Sequence, residues 1–206
     1  LAIQPDNVWL KSNLAVAYDY SGEPRKAIAV YERVAEPDAT MLSNLSTLYF
    51  IEGRYQEAAE LLRRALVLEP RSAVKHGNLG DTYRRLGLAE EAALEYRTAS
   101  GLAREQLDVD GRNALLLARL AVFEAKLGES AQALQDVRRA VALAPDDNAV
   151  LYKRAVVHAL LRERDDAVEW LGRAIDKGYS RARAREDLDL ESIRKLPQVE
   201  ALLQQQ

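Results

Sequence analysis

With 206 residues, 48% of them apolar and 30% charged but only 10 Gly, 6 Pro and 2 Phe, the chain is dominated by Ala, Leu, Glu and Arg, a balance that favours helices over sheets. A formal net charge of -3 supplies no large field of one sign, which argues against nucleic acid or an acidic membrane surface as partner, and the lack of cysteine removes disulfides, zinc fingers, iron–sulfur clusters and thiol nucleophiles together. No window approaches the roughly 18 consecutive apolar residues of a membrane-spanning helix, so no membrane insertion is expected.

In chain order, residues 1–7 come first. The chain starts at Leu1 without an initiator Met, and Leu1, Ile3 and Pro5 look like the last turn of a helix, so this stretch is expected to end a truncated preceding repeat of a longer protein. From residue 8 one pattern recurs five times, over 8–38, 39–72, 73–113, 114–147 and 148–178. Its marker is an alanine, at Ala27, Ala58, Ala92, Ala133 and Ala167, with successive spacings of 31, 34, 41 and 34 residues. Seven residues after each lies another small residue: Val34, Ala65, Ala99, Ala140 and Ala174. Twelve residues before each lies a third: Ala15, Ser46, Gly80, Ala121 and Ala155. Three small positions in phase are what two close-packed antiparallel helices need, because only small side chains let the backbones approach.

Other positions keep the same phase. Leu14, Leu45, Leu79 and Leu120 precede the upstream small residues, and Tyr18, Tyr49 and Tyr83 follow them. Gly22, Gly53, Gly87 and Gly128 sit where a first helix must stop, since glycine takes the left-handed cap conformation freely. Tyr31, Leu62, Tyr96, Val137 and Leu171 fill a bulky site of the second helix, while Pro24 suits a helix entrance and Pro70 and Pro145 helix exits. The first repeat is three residues short, so its second helix is expected to end at Ala35 or Glu36, before Pro37. The third carries seven extra residues, so its second helix is expected to run on through residues 101–106.

This set of small, aromatic, glycine and proline sites resembles the tetratricopeptide repeat (TPR) family over residues 8–178. The resemblance implies an all-α, right-handed superhelical solenoid of about five helix–turn–helix hairpins. Residues 179–206 do not repeat. Their apolar face of Leu188, Leu190, Ile193, Leu196, Val199, Leu202 and Leu203, with Pro197 at the start of a last helix, reads as a C-terminal capping helical segment, or else as a docking or dimerising element. Departures from the family pattern cluster late: Glu124 and His158 in the tyrosine site, Arg162 in the glycine site and Arg154 in the leucine site. The tail, with Asp187-Leu188-Asp189-Leu190 and Ile193-Arg194-Lys195-Leu196-Pro197, is similar to tails of bacterial signalling proteins in which repeats follow a serine/threonine kinase, cyclase or transcription-regulator domain.

No catalytic constellation emerges. His76 and His158 both fall on sites expected to pack inside hairpins, with a structural hydrogen bond between His158 and Glu124 conceivable from their equivalent places. The run Asp108–Asn113 misplaces the glycine of a calcium loop and reads as a turn with a helix N-cap. There is no phosphate-cradling glycine loop and no GxSxG, so no catalytic residue, metal or cofactor is assigned and enzymatic activity is not expected. Arg181, Arg183 and Arg185, followed by Glu186, Asp187 and Asp189, read as a solvated face of mixed charge.

In the TPR family the first helices line the concave side. Carried over by phase, its sixth place reads Asn13, Asn44, Asn78, Arg119 and Lys153, joined by Thr47 and Asp81 toward one end and by Arg84, Arg85, Tyr152, Ala118, Val122 and Val156 toward the other. A line of asparagines suits a peptide backbone because each amide both donates and accepts; equally, these amides can bond only water or the next repeat. The resemblance implies a protein–protein interaction scaffold holding an extended peptide or a helix in the groove, the basic tint favouring a partner with an acidic end. The alternative is a C-terminal regulatory arm, or a dimerisation arm forming a homodimer, of a larger bacterial signalling protein of kinase or cyclase type. A cytoplasmic location goes with either.

Overall fold

The computed structural model describes residues 8–204, and the expectation for residues 1–7 lies outside them. Twelve α-helices and one 3-10 turn are found among the described residues. They divide into two compact units, residues 1–95 and 96–206. The first holds α1 (Val8–Tyr20), α2 (Pro24–Tyr31), α3 (Ala39–Ile51), α4 (Tyr55–Leu68), α5 (Ala73–Arg85) and the start of α6 (Ala89–Val109). The second holds the rest of α6, then α7 (Ala114–Lys126), α8 (Ser130–Leu143), α9 (Asn148–Leu160), α10 (Arg164–Asp176), α11 (Arg181–Glu186), the 3-10 turn Leu188–Leu190 and α12 (Pro197–Gln204).

Within each unit, chain neighbours pair: α1 with α2, α3 with α4, α7 with α8 and α9 with α10. The small positions make this possible. Ala15, Ala27, Ala58, Ala65, Ala99, Ala121, Ala133, Ala140, Ala155, Ala167 and Ala174 are all 0% exposed. Around them the bulky sites Tyr31, Leu62, Tyr96, Val137 and Leu171 are buried too. Burying such side chains contributes roughly 1.5–3 kcal/mol each, but only if the backbones come close enough to leave no void.

The turns inside hairpins follow one rule. Gly22, Gly53, Gly87 and Gly128 have φ of +75°, +78°, +77° and +81°, and the next amide closes a Schellman bond onto the tyrosine-site carbonyl, as in Arg54 N to Tyr49 O at 2.8 Å and Glu129 N to Glu124 O at 2.9 Å. A Cβ at these glycines would meet nothing within 4 Å, so glycine is needed for its dihedral and not for space. Arg162 adopts the same conformation, φ +63°, and makes the same bond, Glu163 N to His158 O at 2.9 Å. The entrances of first helices are instead capped by side chains: Asp38 accepts from Met41 N, Ser72 from Lys75 N, Asn113 from Leu116 N, and Asp147 from Ala149 N and Val150 N.

Two helix lengths depart from the rest. α6 absorbs the seven extra residues of the third repeat as helix and reaches 21 residues. α2 stops at Tyr31, with Glu32 as its C-cap, about a turn before the expected Ala35 or Glu36. Pro37 keeps Glu36 out of the helical region, and a repeat three residues short reaches the Asp38 cap only by leaving the helix early. Val34 still turns into the core.

Two outcomes follow from this packing. Ala155→Leu forces a larger side chain into a closed helix crossing and lowers stability by about 1–3 kcal/mol, whereas Ala142→Leu, on the exposed side of α8, stays within about 0.5 kcal/mol; urea unfolding separates them. Arg162→Gly relieves a left-handed residue and raises stability by roughly 1 kcal/mol, read as a higher urea midpoint, and a lowered midpoint would show that the arginine side chain holds the turn.

Candidate functional site

In the first unit, α1, α3 and α5 carry Asn13, Asn44 and Asn78 at one repeat phase. Asn13 is exposed and the other two half-buried. The Asn44 Nδ2 donates to the hydroxyl of Tyr31 at 3.1 Å, giving that buried phenol its polar partner and leaving the Asn44 Oδ1 as an acceptor. The next repeat has Leu62 where the first has Tyr31, so Asn78 has no corresponding hydroxyl to serve. Thr47 is exposed but turns its hydroxyl back onto Ser43 O at 3.1 Å. Asp81 is half-buried and Arg84 exposed on α5. Arg85 leans onto α4, its Nε donating to Tyr55 Oη at 3.2 Å with the guanidinium 5.3 Å from that ring.

The second unit presents its first helices differently. Arg119 is half-buried, and burial pulls its pKa below the ordinary guanidinium value. Lys153 holds its ammonium 5.6 Å from the Tyr152 ring centroid. Tyr152, expected on an open groove, is 0% exposed: it stacks on Tyr179 with ring centroids 3.8 Å apart and donates to Asp187 Oδ2 at 2.8 Å. Burial, then the Asp187 carboxylate, pushes this phenol well above its ordinary pKa. Ala118, Val122 and Val156 are buried as well. For Tyr152 the cover is the C-terminal segment, whose 3-10 turn packs on α9, a contact too distant in sequence to be read from repeat phase, while α7 and α9 pack on each other.

The arginines of α11 are not simply solvated. Arg181 Nε donates to Leu202 O at 3.0 Å and Arg185 to Leu203 O, so they serve the last carbonyls of α12, where cations complement the helix dipole.

Both histidines are partnered. His76 sits between Glu95 Oε2 at 2.6 Å and Pro70 O at 3.0 Å. His158 is buried and does not meet Glu124; its Nδ1 lies 2.6 Å from Glu163 Oε2, and Asp166 completes a cluster of metal-ligand types that repeat phase alone does not bring together. Arg154 Nε donates to His158 Nε2 at 3.4 Å, which assigns the ring proton to Nδ1. Arg154, the His158 ring and Glu163 thus form a continuous hydrogen-bond chain.

Glu124 is the one strongly perturbed carboxyl of α7. Its side chain is 0% exposed, Oε1 accepts from Arg104 at 2.9 Å, and Oε2 has no hydrogen-bond partner. Burial first, with the nearby Asp136 charge, raises its pKa from 4.5 to about 7 against the opposing pull of Arg104. Between those values the unfolded chain releases a proton that the native state keeps, so stability falls as pH rises from 4.5 to about 7 and is level above. The loss is on the order of 3 kcal/mol. Glu124→Gln, which has no proton to lose there, is expected to flatten that slope and to be the more stable protein at pH 8; urea unfolding at pH 5 and pH 8 checks this, and a wild type equally stable at both would contradict it.

The tetratricopeptide repeat family model matches residues 12–73, 44–106 and 115–182. No curated protein matches the sequence. Among solved structures, TTC0263, a thermophilic TPR protein of Thermus thermophilus, is 21% identical with a TM-score of 0.64, covering 95% of this chain and 99% of its own. Human IFIT1, solved as a dimer with PPP-AAAA, is 17% identical with a TM-score of 0.60 over 91% of this chain and 46% of its own. At these identities the likeness is one of fold. No helix among the described residues is long and apolar enough to cross a membrane. With its in-phase buried alanines, left-handed hairpin turns and family match over most of its length, the chain belongs to the tetratricopeptide repeat family, a fold that serves as a scaffold for protein–protein interaction.

Proposed function

We propose that the chain is an adaptor module whose first unit holds an extended peptide along Asn13, Asn44 and Asn78. The observation that carries this reading is the state of Asn44: half-buried, oriented by Tyr31, and left with a carbonyl oxygen to accept a backbone N–H. An amide already fixed by its own structure loses little side-chain freedom on binding, which is where ordered recognition gains affinity. Asn78 offers the same group one repeat on, and exposed Thr47 and half-buried Asp81 flank the pair. A peptide backbone presents alternating donors and acceptors, so amides repeating along successive helices match its chemistry without dictating its side chains. The family is consistent with such a role and assigns no partner.

The test is a selection of random peptides on phage against the whole chain, followed by affinity measurement with the Asn44→Ala/Asn78→Ala variant. Two side-chain hydrogen bonds at about 0.5–1.5 kcal/mol each predict a loss of roughly tenfold or more. Peptides that bind the folded double variant as tightly as the wild type would remove the asparagines from the site.

A further inference from the structure

The short first repeat leaves a space beside its second helix. α2 has 8 residues where α4, its counterpart in the next repeat, has 14, so residues 32–38 run as irregular chain where the later turns of a second helix would lie. Between this segment, α3 and α4 is a cavity of about 230 Å³, open on one side. Its floor is apolar. Val34, Met41, Leu45 and Leu61 line it and are 7%, 2%, 7% and 9% exposed. Met41, Leu45 and Tyr49 follow one another at four-residue spacing, so a single face of α3 is turned toward the cavity.

The rim carries both signs of charge. Glu32, the C-cap of α2, and Arg64 on α4 line the cavity and are exposed. The Tyr49 hydroxyl donates to Glu32 Oε1 at 2.6 Å, which orients that carboxylate and leaves Oε2 as an acceptor. Arg54 is engaged elsewhere, with its guanidinium 3.6 Å from the Tyr49 ring centroid and paired with Glu52 and Glu57. Among the described residues Arg64 has no ion-pair partner, Glu32 included.

These charges decide the class of guest. An apolar molecule meets the floor but covers two charges without answering either, which costs desolvation. A simple carboxylic acid suits Arg64 and is opposed by Glu32, and a simple amine has the reverse problem. A zwitterion with a short apolar body answers both charges and the floor. Its size also suits a cavity smaller than the roughly 300–1,000 Å³ of a drug-sized site.

We propose that this cavity is a binding site for a free aliphatic α-amino acid of leucine or methionine size. The side chain lies on Met41, Leu45 and Leu61, the ammonium donates to Glu32 Oε2, and the carboxylate accepts from Arg64. The Glu32 carboxylate, held by Tyr49, loses little freedom when the ammonium arrives. The site is distinct from the asparagine line and does not rest on it. Because the guest needs residues 32–34 and α4 folded together, it binds the native state alone and stabilises it by mass action.

The experiment titrates the whole chain calorimetrically with L-leucine, L-methionine, glycine, N-acetyl-L-leucine and L-leucinamide. Leucine and methionine are expected to bind. Glycine, which has no side chain for the floor, is expected to be weaker by about tenfold or more. The acetylated and amidated leucines each lose one charge and are expected to weaken by about tenfold or more, as are Arg64→Met and Glu32→Gln toward leucine. Both variant positions are exposed, and the glutamine keeps an acceptor for Tyr49, so native circular dichroism spectra are expected. No binding of millimolar leucine, glycine binding as well as leucine, or unchanged leucine affinity in both folded variants overturns the proposal. Leucinamide binding as tightly as leucine would give the cavity to the N-terminus of a peptide, and N-acetyl-leucine binding as tightly would give it to a C-terminus; either overturns it. Should the variants fail to fold, urea unfolding of the wild type decides: millimolar leucine should raise the midpoint and glycine should not, and an equal effect of the two overturns the proposal.

Discussion

The close approach of paired helices at their alanines is the constraint on which the other features depend. Ala15 against the α2 side, Ala121 against α8 and Ala155 against α10 are closed to solvent, and a side chain of any length there would hold the backbones apart. Because the helices touch, the turn between them must be short, and a short reversal calls for a left-handed residue followed by the Schellman bond. That explains why the glycines recur at one place and why their Cβ positions meet nothing. Once turn and crossing are fixed, each hairpin turns the same positions of its first helix outward, and a repeated face results without any residue having been placed for that purpose.

Legibility in the sequence follows from range. Small positions, glycine turns and the N-cap that closes the Asp108–Asn113 run act within one hairpin or one helix end, so spacing and residue type reveal them. The helical continuation of α6 through the insertion is likewise local, since nothing between Ala89 and Val109 breaks a helix. The early end of α2 was misjudged because it depends on how much chain remains before the Asp38 cap. The burial of Tyr152 was invisible for another reason: its partner Asp187 lies 35 residues on, in a segment outside the repeat. The same holds for Arg181 and Arg185, whose carbonyl partners in α12 turn an apparent solvated run into a helix cap.

The departures of the fifth repeat form one connected set. Arg154, in the leucine site, lays its guanidinium 3.7 Å from the Trp170 ring, which Arg173 also approaches at 3.9 Å. An indole accepts cations better than it accepts other polar groups, so the leucine's packing role passes to an arginine stem and its charge is met by the ring. That same Arg154 donates to His158, and His158 meets Glu163. Glu163 stands directly after Arg162, whose left-handed backbone aims it back at the ring. Three substitutions that look unrelated in an alignment of repeats are therefore linked through one imidazole, and reversing one alone, as Arg162→Gly does, tests the turn while leaving the chain of contacts in place.

Equivalent repeat positions do not guarantee equivalent surfaces. In the first unit the sixth-place residues are neutral amides, one of them fixed by a tyrosine hydroxyl. In the second they become Arg119 and Lys153, and beside them Lys126 and Tyr152 are closed off by carboxylates from the tail. The buried Lys126 ammonium lies 2.8 Å from Asp189 Oδ2 and 5.4 Å from the centroid of the Tyr96 ring, so a carboxylate and an aromatic face both meet its charge, whereas Asn13 is exposed. The two units therefore present different chemistry at equivalent repeat positions, neutral amides in the first and cations in the second.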